Sequence, residues 1–337
     1  MKKSVKITLI VISVILALII LLSGAFLILN KMGKLQFHKN DTDIKTVNVI
    51  ENDEGILYKD QKYVLDDDVV SFLFIGVDKK SISDNFSVGL NGQADSLLVC
   101  AINTKTKAVS IIPISRETLV DVNQYSISGE YSGTNKKQVC LAYSYGKDVK
   151  QCSENVLLSV SRILYGINIS SYITMDLDAF EKLSNAVGTI EVPINEDYTD
   201  TVTGIKYKAG QSAKVIGKSA VNYIHWRTSD VNANNYRMER QMSFLTAFMN
   251  KVSNSVSKDF SKVISYYNMM QPYVSTNISL SQTTYLATSV VRMNLGNAIQ
   301  FKKIQGETFM LDGFSAFEPD ADSLTNIIIE TFYKKSS

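Results

Sequence analysis

From residue 7 to residue 29 the chain carries no charged side chain, and only Thr8, Ser13, Ser23 and Gly24 interrupt an otherwise apolar run. At about 1.5 Å of rise per helical residue, such a stretch crosses a hydrocarbon core of roughly 30 Å. A cleaved signal peptide has a shorter apolar stretch, about 7–15 residues, followed by small residues at the cleavage site. No such site comes after this run. A single transmembrane helix over 7–29 is therefore expected. Lys2, Lys3 and Lys6 precede it and Lys31 and Lys34 come after it, so charge bias orients it weakly. The short leading segment, 1–6, is expected inside the cell and the large remaining segment outside, which makes the protein a single-pass resident of the cell membrane.

The chain beyond the apolar run has to fold in water. A hydrophobic fraction of 45% over 337 residues supplies a substantial core, and a formal net charge of +2 is too small to make nucleic acid the main partner. Three cysteines, Cys100, Cys140 and Cys152, are too few for a disulfide framework and have no zinc-site spacing. Cys140 and Cys152 have the option of pairing outside the cell; Cys100, in an apolar run, reads as a buried thiol.

Residues 30–67 are polar and acidic, as a tether is, with a small hairpin expected over 56–58 and 63–65. Residues 69–77 (VVSFLFIGV) are continuously apolar, β-branched and aromatic, the pattern of a strand buried on both faces. Strands over 96–102 and 108–114 come next, and their short polar connection predicts a hairpin. Helical spacing appears from Cys152 to Gly166, after a capping pair at Asp178 and Glu181, from Tyr236 to Val252, and near 281–293 and 323–333. Short strands are expected at 189–192, between Gly204 and Gly210, and near 299–304. Strands and helices interleave to the end, which predicts one α/β domain over 68–335.

Two patches combine charge with strand or helix ends. Asp78 closes the first buried strand, Asp95 opens the next, and Arg116 lies just past the third. Ligands of α/β sheets bind beyond strand ends, and two carboxylates there suit a hard cation such as Mg²⁺. Aspartates at such places also serve as turn and cap residues, and residue types alone leave both readings open. In the second patch, YIHWRTSDVNANNYRMERQ, the residues Arg237, Arg240 and Gln241 share one face at a helix N-terminus, with Arg227 in the preceding loop. Arginines are mildly unfavourable there unless an anion lies among them, and their planar forks grip phosphate. The alternative is a few surface arginines.

FLFIGVD, ADSLLVCAINTKTKAVSIIPISRET, LAYSYG, GINISSYITMDLDAFEKLSNAVGTIEV, YKAGQSAKVIGKSAVNYIHWR and YRMERQ resemble, in this order, the successive motifs of the LytR-CpsA-Psr family. The resemblance implies a bacterial cell-envelope protein with a mixed central sheet flanked by helices, whose apolar tunnel holds a polyprenyl phosphate. It implies transfer of a glycopolymer from a polyprenyl-pyrophosphate carrier to peptidoglycan, with Mg²⁺ at the head group. By position, Asp78 and Asp95 match the metal-binding aspartates, and Arg116, Arg227, Arg237 and Gln241 the head-group ligands. Asp78, Asp95 and Glu117 are the candidate bases for the acceptor hydroxyl.

The chain departs from the family pattern at four places. Gln93 and His225 stand where the family has arginines, Ser115 where it has proline, and Glu117 where it has aspartate. Gln93 and His225 keep their places at the expected head-group site without a fixed positive charge, since histidine is mostly neutral near pH 7. These departures allow an alternative, a protein that binds the lipid in envelope assembly or regulation without transferring it.

Overall fold

Strands that are apolar along their whole length have to be covered on both sides, and the three apolar runs end up in the middle of a sheet. The computed structural model describes residues 29–33, 36, 55–79, 86–226, 233–291 and 299–336. A hairpin, β1 (Ile56–Tyr58) and β2 (Gln61–Leu65), leads into β3 (Val69–Val77), β4 (Ala94–Asn103) and β5 (Val109–Ile114). A second hairpin, β6 (Leu119–Tyr125) and β7 (Tyr131–Gln138), is followed by a 3-10 stretch at Val139–Tyr145 and by α1 (Val149–Ile163). Next come β8 (Tyr172–Met175), α2 (Leu177–Val187), β9 (Ile190–Pro193), β10 (Tyr198–Thr199), β11 (Lys206–Tyr207), β12 (Ser212–Val215), α3 (Lys218–His225) and the long α4 (Ala233–Lys258). The rest comprises α5 (Lys262–Met270), β13 (Val274–Thr276), α6 (Leu280–Val291), β14 (Ile299–Phe301), a hairpin of β15 (Gly306–Leu311) and β16 (Phe314–Pro319), α7 (Ala321–Phe332) and β17 (Tyr333–Lys335).

Six strands form the central sheet in the order β13-β8-β3-β4-β5-β14. β3 with β8 and β5 with β14 run parallel, while the other neighbours run antiparallel, so the sheet is mixed. Alternation along the strands sorts their side chains into two layers. Leu73, Ile75, Leu97, Val99 and Ile112 pack under α1 and α7, in one core with Val156, Val160, Leu324 and Ile328. Phe72, Phe74, Leu98, Cys100, Val109 and Ile111 face the other way, toward Leu245 and Met249 of α4 and Tyr285 and Leu286 of α6. Fully burying one such aliphatic side chain contributes about 1.5–3 kcal/mol. A third core, with Tyr198 and Tyr223 at its centre, joins α2, α3 and α4 to the β9–β12 pair.

Several expectations need correction. Helix α2 begins earlier than its apolar spacing shows, because β8 ends at Met175 and the chain turns at once. The cap is Asp176, whose side chain accepts from the Ala179 N–H at 2.7 Å, and Asp178 lies inside the first turn. Helix α4 starts at Ala233, so Arg237 stands a full turn in from the free N–H groups. All three cysteines are free. The Cys140 thiol lies 3.7 Å from the Arg116 guanidinium and the Cys152 thiol 3.7 Å from the Asn91 amide, on separate partners. The hairpin at β1–β2 forms, and β2 also pairs with β17, which stitches it to the end of the chain.

The expected membrane helix lies outside the described residues except for its last position, Leu29. Among the described residues no helix is long and apolar enough to cross a membrane. Residues 29–33 are helical and dock on α6. Asn30 donates to the Thr288 hydroxyl at 2.6 Å, and Gln36 accepts from Ser279 and Ser281 at 2.6 and 2.7 Å. Gly33 makes the close approach possible: a Cβ there would lie 2.2 Å from the Ser281 carbonyl oxygen.

Candidate functional site

Between the sheet and helices α2 and α4 lies a cavity of about 320 Å³. Its floor is the second layer of the sheet: Phe72 and Phe74 of β3, Leu98, Cys100 and Ile102 of β4, and Val109 and Ile111 of β5. Phe180 and Leu183 of α2 and Phe244, Leu245, Phe248 and Met249 of α4 form the wall. Phe180 and Phe244 approach to 5.2 Å between ring centroids. Cys100 faces this apolar interior, and burial pushes its thiol up to about 12. At the opposite end from the mouth, Ile102 and Val109 belong to the same cluster as Ile278 and Tyr285, so α6 closes the apolar end.

Polar groups are confined to one edge, where β3, β5 and β8 end and β4 begins. Asp78, Asp95, Asp176, His225, Arg237 and Gln241 all line the cavity there. Asp78 reaches the edge by simple alternation, being two and four residues beyond Gly76 and Phe74. Asp95 does not. On regular alternation it would share a layer with Leu97 and Val99, against α1. A bulge intervenes: Gly76 pairs with Ser96 but Val77 pairs with Ala94, which makes Asp95 the extra residue of β4. Asp95 and Ser96 thus line the cavity side by side, while Ala94 and Leu97 return to the core. Bulges re-aim side chains in this way at functional edges.

Arg116 is held beside this edge rather than in the cavity wall. It is ion-paired with Asp95 and donates to the Gln93 side-chain oxygen. Burial works against its charge, but Cys140 and Asp95 more than offset this and set its pKa above the ordinary arginine value. Burial pushes the Cys140 thiol up despite the adjacent guanidinium. Glu117 is turned away, accepting from the Ser315 hydroxyl at 3.0 Å. Arg237 and Gln241, one helical turn apart on α4, face the cavity together. Arg227 lies outside the described residues.

Arg240 departs from expectation. It does not line the cavity but turns toward α3, ion-paired with Glu196, with a side chain only 3% exposed. Its Nε donates to the Tyr223 carbonyl at 3.1 Å, and the guanidinium also donates to the Trp226 carbonyl. Burial draws its pKa down to about 10, still charged at neutral pH. Sequence reasoning missed two residues. Asp176 was visible in principle, as an aspartate directly between a strand and a helix. Glu196 was not, because its importance depends on a partner far along the chain.

The donor set at the mouth is consistent with a divalent cation. Asp78, Asp95 and Asp176 line the mouth together with Arg237, and Arg116 is paired with Asp95 beside it. Asp176 already caps α2, which leaves Asp78 and Asp95 as the hard oxygen donors better placed for a cation, and Mg²⁺ characteristically takes one or two carboxylates and leaves its other positions to water and substrate. No group of three or more His, Cys, Asp or Glu side chains able to hold a metal occurs among the described residues, so an all-protein cage is not what they offer.

The same arrangement of sheet and helices is found in known proteins. Polyisoprenyl-teichoic acid–peptidoglycan teichoic acid transferase TagV of Bacillus subtilis is 26% identical over 297 residues, covering 84% of this chain and 71% of its own. TagU of Enterococcus faecalis, with the same transferase description, is 26% identical over 330 residues, covering 97% of this chain and 96% of its own. The crystal structure of Bacillus subtilis TagV superposes with a TM-score of 0.63 at 25% identity, over 78% of this chain and 95% of that one. The LytR_cpsA_psr family matches residues 32–332, and the chain belongs to that family.

Proposed function

We propose that the protein is a phosphotransferase that moves a glycopolymer from a polyprenyl-pyrophosphate carrier to a hydroxyl of peptidoglycan, anchored in the bacterial membrane by residues 7–29. The observation that carries this reading is the abrupt change along one cavity, from an apolar chamber suited to an isoprenoid to a rim of acids and arginines suited to a diphosphate. The relatives' activity on polyisoprenyl-linked teichoic acid and peptidoglycan points the same way.

In the reaction, the acceptor hydroxyl loses its proton as its oxygen bonds to the phosphorus that carries the polymer, the bridging P–O bond breaks, and the lipid leaves as a phosphate that takes up the proton, directly or through solvent. Catalysis of such a displacement is largely alignment and charge stabilisation. Arg237 and Gln241 are positioned to hold phosphoryl oxygens from α4. Arg116, kept charged and fixed by Asp95, would stabilise the charge gathering on the lipid phosphate. Mg²⁺ held by Asp78 and Asp95 would supply Lewis-acid polarisation of a phosphoryl oxygen. Gln93 and His225 add hydrogen bonds without fixed charge.

The test is turnover of a polyprenyl-pyrophosphate substrate by the purified protein with Mg²⁺. Arg116→Ala, Asp95→Ala and chelation of the metal should each abolish it; a wild-type protein that binds the lipid without turnover would refute the transferase. A second reading, lipid binding without transfer, is favoured by Gln93, which occupies donors of Arg116 where the family has a positive charge. Gln93→Arg with His225→Arg decides it, since activity gained only in that double variant marks a transferase that has lost its chemistry.

A further inference from the structure

The last turn of α3 ends at the cavity rim, and its carbonyls are collected by α4. Arg240 donates to the oxygens of Tyr223 and Trp226, and the Gln241 amide donates to that of Ile224 at 3.4 Å. A helix end leaves such carbonyls without intrahelical donors. Between them stands His225, which lines the cavity. Beyond them Trp226 leaves the helix in an extended conformation (φ −50°, ψ 136°), its ring edge-on to Tyr198 at 5.5 Å. Glu196, 15% exposed, comes from the loop after β9 and completes the set by pairing with Arg240.

We propose that Glu196 and Arg240 form a positioning pair, which fixes the aim of His225 and Gln241 at the rim and acts on the head group only through them. The inference rests on the diphosphate-binding function proposed for the same rim. A buried ion pair is a poor stability device, since desolvation takes back most of the attraction and an apolar pair of equal volume does as well. What an apolar pair lacks is donors. The planar guanidinium spans two carbonyls and a carboxylate at once, whereas an ammonium is a compact charge without that fork. Arg237 and Gln241 lie one turn apart on the cavity face, and Arg240 on the adjoining face joins α4 to α3. Arg240 is therefore a positioning residue, not a ligand.

The chain has only two histidines, His38 and His225, so the imidazole signals of the full-length protein in micelles are readily assigned with His38→Gln. Arg240→Lys and Glu196→Gln should each move the His225 imidazole resonance and weaken binding of geranylgeranyl diphosphate with Mg²⁺ by about tenfold, the scale of one hydrogen bond to a charged group. The near-UV spectrum of the aromatic core should persist. If both variants leave the His225 signal and the affinity unchanged, the proposal is overturned. Should Arg240→Lys fail to fold, Glu196→Gln, which keeps size and acceptor, decides alone. A His225 signal that moves while even the wild-type protein ignores the diphosphate would sink the proposed transferase function and leave the positioning role standing.

Discussion

Leu73 and Phe74 are neighbours in β3, yet one lies in the core under α1 and the other floors the cavity. Leu73→Ala should cost about 2–5 kcal/mol in denaturant unfolding, the usual penalty of a large-to-small change in a packed core. Cys100→Trp, by contrast, projects into open space. It should leave the thermal midpoint near that of the wild type and remove any polyprenyl phosphate that co-purifies, as native mass spectrometry would register. Arg116→Ala strands Asp95 in a site that is largely closed to water. With Arg116 a quarter exposed, solvent screening discounts the loss to about 1–2 kcal/mol, measurable as a fall of a few degrees in the melting temperature. Arg116→Lys should recover the stability, because the charge remains, without recovering the fork.

Among the elements, those with a strong period were the legible ones. β3, β4 and β5 could be read because each is an unbroken apolar run, and α1, α4 and α7 because apolar residues recur along one face. The β6–β7 hairpin could not, since Tyr131–Gln138 is mostly exposed and carries no alternation. The bulge at Asp95 belongs to the register between two strands, not to either sequence. Arg240 was misjudged for a related reason: its spacing from Arg237 is real, but α3 and Glu196 claim it. The link between β10 and α3 offers an element-scale test. Asp200 accepts from Ser219 at 2.7 Å, from Thr203 at 2.9 Å and from the Val202 N–H at 2.9 Å. Burial raises its pKa, but these donors outweigh burial and leave it below the ordinary carboxylate value. A folded-state pKa below the unfolded value of about 3.9 contributes stability above that pH, lost as the pH falls through the folded value. Asp200→Asn should therefore melt lower at pH 7, and the two proteins should converge as the pH drops below about 4.

At the scale of the whole molecule, the segment that leads out of the apolar run is clasped at the closed end of the cavity. Gly33→Leu should break that clasp without unfolding the sheet. Asn30→Cys with Thr288→Cys supplies the measurement: a disulfide should form readily in the parent and be lost when Gly33→Leu is added. The mouth lies at the opposite end of the strands, and there the bulge has a wider consequence. Because Asp95 is the supernumerary residue, Ser96, Leu98, Cys100 and Ile102 keep their phase whatever happens to the chain before it. Loops preceding that point are free to lengthen or shorten, whereas one residue inserted after it would exchange chamber and core along the rest of the strand. The rim can thus change from one relative to the next while the chamber beneath it is inherited unchanged.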